Sequence, residues 1–68
     1  MADHFVVMPG GRIASFDSEE DADAFMSRMG FAFREIVEGT NFYRRIYASG
    51  DQIAVVWVPK DTPKRRNS

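Results

Sequence analysis

The residues of this chain that could do chemistry are few and far apart. It has one histidine, His4, no cysteine, and serines at 15, 18, 27, 49 and 68. A nucleophilic serine needs a base within hydrogen-bond reach, and His4, at the start of a strand-like run, is distant in sequence from most of them. A metal centre needs three or four ligands, and His4 has no second histidine or cysteine to join it. The acids Asp17, Glu19, Glu20, Asp21 and Asp23 lack the glycine and the closing glutamate of a calcium loop. The segment Pro9 to Arg12, PGGR, joins two apolar runs and opens no helix, so it does not form a phosphate cradle. These residues predict no enzyme, no metal, no cofactor and no small-molecule substrate.

A chain of 68 residues makes one domain and buries only about 60% of the surface its unfolded form exposes. Without cysteines no disulfide can staple it, and small domains in that position gain stability from idealised packing or from oligomerisation. The N-terminal stretch has no basic start and a four-residue apolar run, Phe5 to Met8, and reads as neither a signal peptide nor a membrane span. A soluble, cytoplasmic protein is expected. The formal net charge of −1 conceals an asymmetry, with six acids against two bases in residues 1–33 and seven bases against four acids in residues 34–68. A dipolar chain of this kind suits a charged partner.

The elements follow from periodicity. Two short apolar runs around residues 4–8 and 12–16 flank a Gly-Gly pair, which signals a hairpin. Next, Asp17 and Glu20 have capping-box spacing, and Ala22, Phe25, Met26 and Met29 fall at i, i+3, i+4 and i+7, which predicts an amphipathic helix over about 18–29. Gly30 stands where a left-handed helix cap belongs. Beyond it the period becomes two, and three strands (31–37, 41–48 and 52–59) are separated by EGTN and SGD turns. The expected fold is a small α+β domain of order ββαβββ, an antiparallel sheet with one helix on one face. It spans residues 1–60, and residues 61–68 form a disordered basic tail. The phrase Gly30, Phe31, Ala32, Phe33 looks like the base-stacking strand of an RNA-recognition motif, but it directly follows the first helix, and the first strand lacks the companion motif.

Alternation then divides the sheet. A tight EGTN hairpin would set Glu35 opposite Arg44 and collect Phe31, Phe33, Val37, Phe42, Ile46, Ile53, Val55 and Trp57 on one face, expected to lie beneath Phe25, Met26 and Met29. The other face would hold Ala32, Arg34, Ile36, Tyr43, Arg45, Tyr47, Ala54, Val56 and Val58 and stay open. Tyr and Arg dominate binding hot spots. The expected function is therefore a small non-enzymatic protein-binding module of inhibitor or adaptor type, of the sort phages and mobile elements encode, and homodimeric. Its partner-binding residues would be Arg34, Ile36, Tyr43, Arg45, Tyr47 and Val56, with Glu19, Glu20 and Asp23 as an acidic contact face. Two alternatives use the same residues. Tyr43, Tyr47 and the basic tail would serve single-stranded nucleic acid by stacking and phosphate contact, against which the slightly acidic net charge argues. The helix acids would alternatively mimic nucleic acid toward a partner's binding site.

Overall fold

The computed structural model describes residues 3–60. The expected tail, residues 61–68, lies outside the described residues. The elements are β1 (His4–Val7), β2 (Ile13–Phe16), α1 (Glu19–Arg28), β3 (Ala32–Glu38), β4 (Phe42–Ser49) and β5 (Gln52–Pro59). The order is ββαβββ, as the periodicity predicts. All five strands form one open antiparallel sheet in the order β2-β1-β5-β4-β3. The N-terminal hairpin and the C-terminal meander are joined by the pairing of β1 with β5, with Val6 opposite Val56.

Local chemistry sets the boundaries. Gly10 and Gly11 both have positive φ, 89° and 85°, conformations open to glycine at no steric cost, and the Met8 and Arg12 backbones close the turn between them. The helix begins one residue later than the Asp17–Glu20 spacing suggests. Its N-cap is Ser18, whose Oγ accepts a hydrogen bond from the Asp21 amide at 3.1 Å. Ser18→Ala is expected to cost about 1 kcal/mol, read as a lower midpoint in thermal unfolding. At the other end Gly30 (φ 85°) donates to the Ser27 carbonyl and Phe31 to the Met26 carbonyl. This is the paired hydrogen-bond pattern of a Schellman cap, and the apolar contact that accompanies it joins Phe31 to Met26 in the core.

The core differs from the expected one in a way that decides the functional reading. Its buried members are Val6, Ala22, Met26, Phe31, Tyr47, Ala54, Val56 and Val58. Thus α1 covers the face that carries Tyr43, Arg45, Tyr47, Ala54, Val56 and Val58, and among the described residues no element covers the face with Phe42, Ile46, Ile53, Val55 and Trp57. The strand-to-strand grouping of β4 and β5 agrees with the alternation, since Ile46 pairs with Val55 and Arg45 with Val56. What differs is which side the helix takes. Small side chains at the sheet centre, Val6, Ala54 and Val56, all fully buried, let Ala22 and Met26 approach closely. The bulkier Trp57, Phe42 and Ile46 point away.

A β-bulge between Phe33 and Glu35 makes a second correction. Arg34 is the extra residue, and each side of it the register differs by one. Phe33 therefore lies opposite Tyr47, on the helix side, while Val37 lies opposite Arg44 and Glu35 opposite Ile46. The expected Glu35–Arg44 register pair is not formed. A bulge reverses side-chain alternation along one strand, which carries Phe31 and Phe33 away from Val37.

Candidate protein-binding face

The residues expected to form an exposed Tyr/Arg surface instead tie the helix to the sheet. Glu19 and Asp23 stand four residues apart on one side of α1 and overhang β4. The Tyr43 hydroxyl donates to Glu19 Oε1 at 2.9 Å, and Arg45 Nη1 donates to Glu19 Oε2 at 2.8 Å. Arg45 Nη2 reaches Asp23 Oδ1 at 3.4 Å, Arg45 Nε donates to the Tyr47 hydroxyl at 2.8 Å, and that hydroxyl donates to Asp23 Oδ1. The Arg45 guanidinium also lies 4.5 Å from the Phe33 ring centroid, a cation–π contact. Every polar group of the Tyr47 side chain, on a residue only 1% exposed, is used.

This network shifts the ionisation of its members. Burial, then the hydrogen bond to Glu19, pushes the Tyr43 hydroxyl above the ordinary tyrosine value. Burial, then the hydrogen bond to Asp23, does the same for Tyr47. Burial works against the charge on Arg45, but the Tyr47 hydroxyl and the carboxylates of Glu19 and Asp23 outweigh it and hold its pKa above the ordinary arginine value. A phenol whose folded-state pKa is raised keeps its proton where the unfolded chain loses one. Its stabilising contribution is present below the unfolded value of about 10 and is lost as pH rises above that toward the folded value. The fold is therefore expected to weaken above about pH 10. Tyrosinate absorbance followed alongside circular dichroism checks this, and simple ionisation of both tyrosines at the ordinary value with the fold unchanged would contradict it.

Of the remaining expected contact residues, Val56 is fully buried. Arg34 is exposed at the bulge on the edge strand β3, and Ile36, 47% exposed, lies on the helix side of β3 beyond the helix. Glu20 points to solvent, whereas Glu19 and Asp23 are engaged by Arg45. Tyr43, Arg45, Tyr47 and Val56 thus do not form an open surface. Charge complementarity between the helix acids and Arg45, at helix i and i+4 facing one strand, adds to the close packing of Ala22 and Met26 on this face.

The face opposite the helix is the surface sequence reasoning missed. One row across the strands runs Ser15, Phe5, Trp57, Arg44, Val37, and the next runs Ile13, Val7, Val55, Ile46, Glu35. Ile53 and Phe42 extend it toward the two ends. Phe5 is 39% exposed, Ile13 68%, Ile53 50% and Trp57 37%. Trp57 is held upright by an edge contact with Phe42 at 6.1 Å and by Arg44, whose guanidinium lies 5.3 Å from its ring. The polar residues in these two rows are Ser15, Arg44 and Glu35. By strand spacings of about 4.8 Å and rises of about 3.3 Å per residue, five strands over some five residues give a footprint of roughly 400 Å². That footprint, with Ser15, Arg44 and Glu35 included, matches the largest apolar patch of a typical monomer, which is often a functional surface.

His4 Nδ1 lies 2.7 Å from Asp3 Oδ1, and among the described residues no three His, Cys, Asp or Glu side chains gather as metal ligands. No helix among them is long and apolar enough to cross a membrane. Fold and site together define a small α+β domain with one open sheet and one helix, with a bare apolar face behind it. The chain matches no family model, and no curated protein or solved structure matches it.

Proposed function

We propose that this protein is a non-enzymatic protein-binding module, of inhibitor or adaptor type and working in the cytoplasm, that docks through the helix-free face of its sheet. The observation carrying the reading is that this face presents Phe5, Val7, Ile46, Ile53, Val55 and Trp57 together, with no element of the described chain over them. Recognition would be steric and hydrophobic. Trp57, fixed by Phe42 and Arg44, is the anchor, because aromatic side chains held in one orientation lose little entropy on binding and bury much area.

Single-stranded nucleic acid is a poorer occupant. Stacking on Tyr47 would require a ring that is 1% exposed, and Arg45 is already neutralised by Glu19 and Asp23. The helix acids likewise offer less than a nucleic-acid mimic needs, since two of them are committed to the sheet.

A photo-crosslinking amino acid placed at Ile53, and in a second variant at Glu20 on the outer side of the helix, tests the docking face in cells that express the protein. Protein adducts are expected from position 53 and not from position 20. Adducts from 20 alone, or from neither, would overturn the reading.

A further inference from the structure

We infer that the occupant of the helix-free face is a second copy of this chain, packed face to face about a two-fold axis; the inference rests on the docking face proposed above and adds the partner. A two-fold interface must be self-complementary, because each copy offers the same patch to the other. This face meets that condition. Among its apolar rows it carries one cation and one anion, Arg44 on β4, between Trp57 and Val37, and Glu35 on the edge strand β3, both on the same side of the sheet. A patch with both signs presents an identical patch with a countercharge for each of its own. A foreign partner imposes no such balance.

Area sets the strength of the association and stability favours it. The footprint of roughly 400 Å² per copy is about half the ~800 Å² per partner of a standard stable interface, so the association is a weak one. A monomer–dimer equilibrium in the micromolar range is therefore expected, roughly 1–100 µM. The core beneath the helix contains eight buried hydrophobic residues. A chain this small gains from burying a second apolar layer, and two sheets stacked about 10 Å apart supply one. The edges of the sheet suit self-association less. β2 is four residues long, and β3 carries the bulge at Arg34, both devices that blunt strand-to-strand pairing.

Charge reversal tests the arrangement on the full chain. Arg44→Glu gives a face with two carboxylates, and Glu35→Arg gives one with two guanidiniums. Sedimentation equilibrium of each variant alone is expected to show monomer where the unaltered protein is dimeric, a loss of at least about tenfold in self-affinity, or 1.4 kcal/mol. An equimolar mixture of the two is expected to recover a dimer, now a heterodimer. Circular dichroism and thermal unfolding of each variant confirm that the fold is kept, and Glu35→Gln serves as a milder variant should either reversal disturb the sheet; it is expected to weaken the dimer without abolishing it. An unaltered protein that remains monomeric to about 300 µM would overturn the second-copy inference, while crosslinks from Ile53 to other proteins would then leave the docking face standing. A dimer that persists in both charge variants, or variants that fail to recover on mixing, would also overturn it. Absence of both dimer and crosslinks would remove the docking face as well.

Discussion

Val56→Lys is expected to leave no folded domain at 25 °C, whereas the same substitution one residue earlier, Val55→Lys, leaves the domain folded and monomeric. The two valines are neighbours on β5 and point to opposite sides of the sheet. Val56 is fully buried between Val6, Arg45 and the helix. Replacing it loses about 1.5–3 kcal/mol of apolar burial and places an ammonium where the effective desolvation penalty is several kcal/mol. A domain of this length has about 3–10 kcal/mol of total stability, so the loss is of the same order as the whole. Val55 pairs with Ile46 and Val7 on the bare face. There a lysine can extend along apolar neighbours into water, and the cost to the monomer is expected to be below about 1 kcal/mol. In a dimer the same ammonium meets a second sheet, and association should be lost. Urea unfolding of the pair reads the difference, and equal stabilities would contradict the placing of Val56 in the core and Val55 outside it.

Arg45→Ala is expected to lower stability by about 2–4 kcal/mol. The guanidinium, with its side chain 19% exposed, is the hub that joins Glu19, Asp23, Tyr47 and Phe33. Removing one partner of a largely covered ion pair leaves the other charges and the Tyr47 hydroxyl short of a donor, which costs more than the bridge itself contributes. Arg44→Ala removes an arginine one residue away, on the other face. There the side chain chiefly stacks on Trp57, an interaction worth about 0.5–1 kcal/mol. Denaturant midpoints measured side by side should separate the two arginines by about 1 kcal/mol or more. Arg45→Ala with an unchanged midpoint would contradict its role as the helix tether.

Much of this architecture was legible in the sequence. The Ala22, Phe25, Met26, Met29 stripe, the Gly30 cap and the period-two runs determine the order of elements and nearly all their boundaries. Which face the helix takes was not legible from hydrophobicity. The run Ile53 to Val58 is apolar at every position, so β5 offers an apolar surface on both sides and alternation cannot rank them. The face expected beneath the helix, with Phe42, Ile46, Ile53, Val55 and Trp57, is the one opposite it. The covered face combines small side chains at the sheet centre, Val6, Ala54 and Val56, with a polar match: Glu19 and Asp23, one turn apart, meet Arg45 and its two tyrosines. That pattern is visible in the sequence once the helix acids are read as contacts with the sheet. The bulge at Arg34 had no comparable signal, because no glycine or proline marks it, and it alone moves Phe31 and Phe33 to the helix side.

The functional consequence is a change of surface with the same logic. Among the described residues a single helix covers one face of the sheet, and the other face is built of Phe5, Val7, Ile46, Val55 and Trp57. The tyrosines and Arg45 act beneath the helix, where they tie it to the sheet that carries the opposite face.

Hydroxyl-radical footprinting across a dilution series tests the central claim most directly. At low concentration Trp57 and Phe5 are expected to be oxidised readily and Tyr47 to be protected; as concentration rises through the micromolar range, protection should spread to Trp57 and Phe5 while Tyr47 is unchanged. Trp57 equally reactive at every concentration, or Tyr47 as reactive as Trp57 in the folded monomer, would contradict it.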